Sequence, residues 1–159
     1  MGGRNSRRSK LLYGEQQIMI KISHRGNTSG PIESLENKPE YLLNAISLGF
    51  DVEVDVWVLN GIMYFGHDEA KYIVDPTVFY RIVNQAWFHC KNIEALNHFI
   101  TMHPTSRFFW HQQDDYTLTS NGYIWTYPDK EITNKTIIVD LKGSRDVTGA
   151  FGLCSDFLL

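Results

Sequence analysis

The sequence has no long apolar run and no apolar block at its N-terminus. None of its hydrophobic stretches approaches the ~20 residues that a membrane-spanning helix requires, so we expect no integral membrane segment. The N-terminus is polar and carries Arg4, Arg7, Arg8 and Lys10, which is unlike the apolar core of a signal peptide. We therefore predict a basic flexible tail over residues 1–15 and a cytoplasmic protein.

Cysteine is scarce, and no charge sign dominates. Two cysteines, Cys90 and Cys154, do not make a disulfide scaffold, and a reducing compartment fits them. The formal net charge of −3 gives no general attraction to nucleic acid. We therefore expect no nucleic-acid partner.

The length and composition fit one globular domain, which we predict over residues 16–159. A chain of 159 residues is long enough to bury roughly 70% of its unfolded surface. Its aromatic content of 13% is rather high and indicates a core or pocket rich in Trp, Tyr and Phe.

Residues 51–58 alternate strictly between two faces. Asp51, Glu53 and Asp55 lie on one face and valines on the other, which is the period-two pattern of a β-strand. Carboxylates two residues apart on a strand face lie roughly 6–7 Å from one another. By itself the pattern is more typical of an acidic face in water than of a cation site.

The segments before this acidic strand change that interpretation. Residues 18–23 form a β-branched run, and an amphipathic helix with Leu42, Leu43 and Ile46 on one face follows it. Strand, helix and strand predict a βαβ unit and a parallel sheet, which is normally covered on both faces. Acids on such a strand need a polar enclosure, for which the inward-facing mouth of a barrel is suitable.

The rest of the chain changes character near its middle. We predict helices at 77–84, after the cap Asp75-Pro76, and from Asn92 to about residue 100. The last third has strand-like runs but no convincing helix. The further predicted strands are 62–65, 86–91, 107–110, 123–126, 137–140 and 151–154.

Charged and histidine side chains collect where the predicted strands end. Because the carboxyl ends of parallel strands meet at one edge, these groups can converge. Arginine and lysine neutralise phosphate oxygens, carboxylates hold a divalent metal, and a histidine pair moves protons, so together they suit phosphodiester cleavage. The residues are His24, Arg25, Glu53, Asp55, His67, His89 and Lys91.

Four short motifs in order resemble the glycerophosphodiester phosphodiesterase family, which belongs with the phosphatidylinositol-phospholipase-C-like phosphodiesterases. They are His24-Arg25-Gly26, Glu36-Asn37, Glu53-Val54-Asp55 and Gly66-His67-Asp68, and they span about residues 18–70. Weaker similarities follow at His89-Cys90-Lys91, Ile124-Trp125-Thr126 and Cys154-Ser155-Asp156.

The resemblance implies an α/β fold with a (β/α) TIM-type barrel and metal-dependent hydrolysis of a small glycerophosphodiester-like substrate. His24 and His67 would be the general acid/base pair, in an order that the sequence leaves open. In the family's usual mechanism a neighbouring substrate hydroxyl attacks phosphorus, and water then opens the cyclic phosphate.

The resemblance also implies the binding residues. Glu53 and Asp55 would bind the metal, which is Mg²⁺ or Ca²⁺ when the ligands are hard oxygens. Arg25 and Lys91 would hold the phosphate, and Trp125 would wall the pocket.

The chain departs from the family at the expected third acidic ligand, where His89 stands. His89 either ligates the metal, which favours Mn²⁺ or Zn²⁺ over Ca²⁺, or acts as a phosphate donor. In the second case Asp114 or Asp115 could supply the missing charge. Glu36 either orients the loop after His24 or reaches the metal.

The chain is also short for the implied fold. A (β/α)₈ barrel needs ~200 residues or more, so we predict a compact or incomplete barrel with reduced helices in its C-terminal half. An exposed flank of such a barrel would be sticky, and we hypothesise a homodimer that covers it. Two alternatives to a hydrolase stay open, namely a non-catalytic phosphate-ligand-binding module and a lyase that releases a cyclic phosphate.

Overall fold

The computed structural model describes residues 19–143 and 146–159, which form a curled, mixed β-sheet with three short helices. The predicted basic tail lies outside the described residues. The helices are α1 (Pro39–Ser47), α2 (Pro76–Ile82) and α3 (Ile93–Met102). The strands are β1 (Ile20–His24), β2 (Asp51–Leu59), β3 (Ile62–Phe65), β4 (Tyr72–Ile73), β5 (Ala86–Cys90), β6 (Arg107–Phe109), β7 (Tyr116–Leu118), β8 (Ile124–Thr126), β9 (Thr136–Val139) and β10 (Gly152–Ser155).

The acidic strand β2 lies near the centre of the sheet. It pairs in parallel with β1 on one side and with β5 on the other, and β6 continues the sheet beyond β5. From β1 the parallel order runs through β10 and β9 to β8. The strands β3, β4 and β7 are antiparallel to their neighbours and make the sheet mixed.

The predicted (β/α) TIM-type barrel is wrong. The described residues contain ten strands but only three short helices, in place of an alternating series of strands and helices. The links that precede β8, β9 and β10 are rich in Thr, Asn, Asp and Gly and carry no 3.6-residue apolar period, and their described residues form turns and irregular segments. The two short antiparallel strands β4 and β7 were not predicted, because runs of two and three residues carry too little alternation.

Local sequence patterns do explain the first half of the fold. The predicted βαβ unit is confirmed, with His24 in register with Glu53 on the neighbouring strand. Both predicted helix caps are confirmed as well. The Asp75 carboxylate accepts the Thr77 N–H, and the Asn92 side chain accepts the Ala95 N–H, so each satisfies a donor that the first helical turn leaves open.

The sheet has a different hydrophobic cluster on each face. The outer cluster lies between the sheet and the helices and includes the four alternating valines of β2. Fully burying a valine stabilises the fold by about 1.5–3 kcal/mol relative to leaving it exposed, so β2 is held mainly from this side. The inner cluster fills the inside of the curl and comprises Ile22, Trp87, Phe109, Trp125, Ile137 and Cys154. Period two therefore places the β2 acids on the inner face, beside this second cluster.

The helices α1, α2 and α3 are 9, 7 and 10 residues long. Within residues 19–143 and 146–159, no helix is both long enough and apolar enough to cross a bilayer.

Candidate functional site

Most of the predicted site residues come together where the carboxyl ends of β1 and β5 flank the middle of β2. They surround a cavity of about 310 Å³ on the inside of the curl. Asp55 is fully buried beside it and contacts three of the lining side chains. The predicted residues that line the cavity are His24, Arg25, Glu53, His67, His89, Lys91 and Trp125.

Glu53 and Asp55 are buried acids, and each has one carboxylate oxygen that makes no hydrogen bond within the described residues. Their exposed fractions are 3% and 0%. Within the described part of the chain, Glu53 Oε2 and Asp55 Oδ1 are buried and accept no hydrogen bond. Burying a carboxylate oxygen without a partner is costly, and a bound cation is one way to offset that cost. The two oxygens are therefore the first indication of a cation site.

His89 points a ring nitrogen at both acids. Its Nδ1 lies 3.1 Å from Asp55 Oδ1 and 3.7 Å from Glu53 Oε1. Its Nε2 lies 2.9 Å from the His111 carbonyl oxygen, which can only accept, so Nε2 carries a proton and donates it. Nδ1 then either carries a second proton, which pairs with Asp55, or offers its lone pair to a metal.

The three side chains fit a metal ion. One ligand atom from each of Glu53, Asp55 and His89 lies within 4.8 Å of the other two. A ligating histidine normally donates its other N–H to a carbonyl or carboxylate, as His89 does to His111. The donor set, two carboxylates and one imidazole, is chemically suited to a divalent cation.

Cationic and polar groups surround Asp55 more closely than Glu53. Arg25 Nε lies 2.9 Å from Asp55 Oδ2, and Lys91 Nζ lies 3.5 Å from Oδ1. Burial opposes the charge on Asp55, but the His89 ring, whose Nδ1 lies 3.1 Å from Oδ1, and the charge of Arg25 outweigh it and hold the pKa of Asp55 well below its usual value. Burial and the neighbouring Asp55 raise the pKa of Glu53. Without a metal, the charge of Asp55 is therefore compensated more fully than that of Glu53.

His24 is oriented by an acid that sequence reasoning left out of the site. His24 Nδ1 lies 2.8 Å from Asp156 Oδ1, and Asn27 donates to the same oxygen at 2.8 Å. Burial disfavours the imidazolium, but the Asp156 hydrogen bond and the nearby Glu53 prevail and raise the pKa of His24. Its Nε2 faces the acids, 3.9 Å from Glu53 Oε2. The signal for Asp156 was the strand-end similarity at residues 154–156.

His67 lies at the rim of the cavity. It follows β3, and 41% of its side chain is exposed. Its Nδ1 lies 2.7 Å from Asp68 Oδ1. Partial burial and the charge of Arg25 lower the pKa of His67. The preceding Gly66 has a φ of +150°, and a Cβ there would lie 2.2 Å from the Glu69 carbonyl oxygen, so the turn that presents His67 requires glycine.

The loop after His24 holds Arg25 in an uncommon conformation. Arg25 has a φ of 54°, and its N–H donates to the Glu53 carbonyl. Its guanidinium donates to Glu36 Oε2 at 3.1 Å, while Glu36 Oε1 accepts from Asn27. Glu36 therefore orients this loop, the first of its two predicted roles, and it is not part of the cluster that could hold a metal ion.

Aromatic rings form the wall opposite the acids. Trp125 stacks on Phe109 with 4.4 Å between ring centroids, and Phe109 stacks on His89 at 5.0 Å. His111 and Tyr127, which sequence reasoning missed, also stack and line the cavity. Periodicity does not indicate them, because both lie outside the strands.

The predicted alternative source of negative charge is not close to the acids. Asp114 and Asp115 are both exposed and are not part of the candidate metal cluster. Asp115 pairs with Lys130 at 2.9 Å. The imidazole of His89 therefore occupies the third position beside Glu53 and Asp55.

Comparison of the chain with models of protein families, with curated proteins and with solved structures found no match. The resemblance to glycerophosphodiester phosphodiesterases therefore stays a prediction, which depends on the four motifs and on the side chains around the cavity.

Proposed function

We propose that the protein is a metal-dependent phosphodiesterase that hydrolyses a small glycerophosphodiester-like substrate to an alcohol and a phosphomonoester. The observation that carries the proposal is the pair of buried carboxylate oxygens, Glu53 Oε2 and Asp55 Oδ1, that accept no hydrogen bond from any described residue. Glu53 lines the cavity and Asp55 lies buried beside it. The same cavity is lined by Arg25, Lys91, His24 and His67, which supply the charges and the proton-transfer groups that phosphodiester cleavage needs.

Glu53, Asp55 and His89 would hold the metal. Because His89 Nδ1 faces both acids, we propose Mn²⁺ as the ion best suited to the mixed oxygen and nitrogen donors. Mg²⁺ or Ca²⁺ would bind through the two carboxylates, and Zn²⁺ would draw more on the imidazole. When bound, the metal supplies positive charge against the phosphate oxygens.

Arg25 and Lys91 would bind the non-bridging phosphate oxygens. Both now contact Asp55, so they lie at the depth of the acids and on the cavity wall. The planar guanidinium of Arg25 can donate two parallel hydrogen bonds to one phosphate, whereas Lys91 acts as a compact charge.

His24 would act as general base. Asp156 keeps a proton on Nδ1, which leaves Nε2 free to take the proton of a substrate hydroxyl, and it stabilises the imidazolium that forms. As that hydroxyl oxygen bonds to phosphorus, the bond to the leaving alcohol breaks. His67, at the rim of the cavity, would give a proton to the alcohol oxygen. Water then opens the cyclic phosphate with the two histidine roles reversed.

A second candidate function is a phosphate-ligand-binding module without turnover. The observation in its favour is that Arg25, His89 and Lys91 already compensate Asp55 without a metal. A third outcome keeps the first chemical step and omits the second, which makes the protein a lyase that releases a cyclic phosphate.

Phosphorus NMR separates the three functions. The protein is incubated with glycerophosphodiesters and with Mn²⁺, Mg²⁺, Ca²⁺ or Zn²⁺, and an EDTA-treated sample serves as the control. We expect a phosphomonoester signal that appears only with metal. A cyclic phosphate that persists would indicate the lyase, and binding without turnover under every metal would contradict the enzyme.

A further inference from the structure

Asn37 makes two hydrogen bonds to Asp55. Its side-chain Nδ2 donates to Asp55 Oδ2 at 2.9 Å, and its Oδ1 accepts the backbone N–H of Asp55 at 3.0 Å. Asn37 is only 1% exposed, so water does not compete for these bonds. The two bonds hold the backbone and the carboxylate of Asp55 at the same time.

These two hydrogen bonds, which we call the Asn37 clamp, determine which carboxylate oxygen of Asp55 is available to a metal ion. Oδ2 is turned towards Asn37 and the Arg25 guanidinium. Oδ1 consequently faces His89 Nδ1 at 3.1 Å, and it accepts no hydrogen bond from any residue that the structure describes. Rotation of the carboxylate would break the Asn37 bond, so the free oxygen stays on the side of Glu53 and His89.

The backbone at Asn37 is held in a conformation that most residues avoid. Its φ is 61°, in the left-handed region, and its N–H donates to the Arg25 carbonyl at 3.0 Å. Glycine would satisfy this backbone requirement more easily than asparagine. The Asn37 side chain is thus not needed for the turn itself, and both of its hydrogen-bonding atoms are used on Asp55.

We propose that Asn37 is a positioning residue that orients Asp55 as a metal ligand. The inference rests on the proposed metal centre of Glu53, Asp55 and His89. Groups that hydrogen-bond a ligating carboxylate fix its orientation, and losing one weakens metal binding by roughly 10–100-fold. Asn37 supplies that support from a segment 18 residues away in sequence.

The test compares Mn²⁺ binding in two glycine variants without any substrate. Asn37→Gly removes the clamp and keeps the left-handed backbone. Asn60→Gly is the matched control, because Asn60 has a φ of 51° but lies exposed in the turn between β2 and β3. Free Mn²⁺ is measured by electron paramagnetic resonance during titration. We expect a dissociation constant roughly 10–100-fold higher for Asn37→Gly and an unchanged constant for Asn60→Gly.

Two further measurements keep the outcome decisive. Thermal unfolding without metal is recorded for each variant, since a purely structural role would lower the unfolding temperature and leave the Mn²⁺ dissociation constant unchanged. Asn37→Ser, whose side chain is too short for both bonds, serves if Asn37→Gly does not fold. A folded Asn37 variant with wild-type Mn²⁺ affinity overturns this inference alone. A wild-type chain that binds no Mn²⁺ overturns the metal centre and this inference together.

Discussion

The two faces of β2 carry different kinds of side chain, apolar on the outer face and acidic on the inner face. Its outer face carries four valines that are at most 1% exposed and pack among the residues of the outer cluster. Its inner face carries Glu53 and Asp55, which are equally buried and leave oxygen atoms without hydrogen bonds in the described structure. The outer face stabilises the fold, and the inner face carries buried charges that a bound ligand would compensate. This division is typical of a site placed on a rigid element.

A second comparison lies along the inner face itself. Asp51, at the start of the strand, accepts the Trp87 indole N–H at 3.0 Å and the Arg107 guanidinium at 2.7 Å. Glu53, two residues on, has a buried oxygen without such a partner. Positions on the same face of β2 therefore differ in role. Asp51, at the start of the strand, has a structural role, and Glu53 and Asp55, further along it, are candidate metal ligands.

The largest expected effect is the loss of turnover when His24 is replaced. His24→Ala should lower turnover of a glycerophosphodiester by about 10²–10⁴-fold, because the variant loses the group that accepts the substrate proton. Turnover is measured by phosphorus NMR, and circular dichroism checks the fold. Near wild-type turnover in a folded variant would contradict the assignment.

His67→Ala should lower turnover of an alkyl phosphodiester by a similar factor, about 10²–10⁴-fold, because the leaving alkoxide then goes unprotonated. A glycerol p-nitrophenyl phosphodiester keeps the attacking hydroxyl and has a leaving group that needs no proton, so His67→Ala should cleave it nearly as fast as wild type. His24→Ala should stay slow on both substrates. Rescue of His24→Ala and not of His67→Ala would reverse the two roles.

The next effect contrasts the acids of the inner face. Glu53→Gln should weaken Mn²⁺ binding by roughly 10–100-fold. It should not lower the metal-free free energy of unfolding, because it removes a buried charge that His24 and His89 compensate only from 3.7–3.9 Å.

Asp51→Asn serves as the comparison for Glu53→Gln. It should lower the free energy of unfolding, since it weakens the bonds to Arg107 and Trp87, and leave Mn²⁺ affinity unchanged. Isothermal titration and urea unfolding measure the two quantities. The distinction between the acids fails if both variants change the same quantity.

The smallest effect is expected on the outer face. Val54→Ala should lower the free energy of unfolding by about 2 kcal/mol, because it removes buried methyl groups and leaves a cavity. Turnover and Mn²⁺ affinity should stay at wild-type values, measured under conditions where the variant is fully folded. A drop in Mn²⁺ affinity would show that the two faces of β2 are not independent.

Much of the first half was predictable because its signals are local. Alternation over residues 51–58 is long enough to define a strand and its two faces, and the caps at Asp75 and Asn92 mark helix starts within a few residues. The second half was not predictable to the same degree. Its strands are three or four residues long, so β7 was missed, and the barrel that the similarity of motifs implied depends on contacts between distant strands that no local pattern specifies.

The residues of the candidate site also differ in whether the local sequence predicts them. Strand-end position and motif order were enough to bring His24, Glu53, Asp55 and His89 into one prediction. Asp156, which orients His24, lies 132 residues from it in sequence, and no periodic pattern connects two positions that far apart.

Local sequence thus determined that β2 presents valines on one face and acids on the other, because side chains alternate along any strand. Tertiary structure alone decided how the sheet curls, which oxygens of Glu53 and Asp55 accept no hydrogen bond from the described residues, and that Asn37 and Asp156 orient Asp55 and His24. Those properties depend on contacts between distant segments, and such contacts follow from packing of the whole chain.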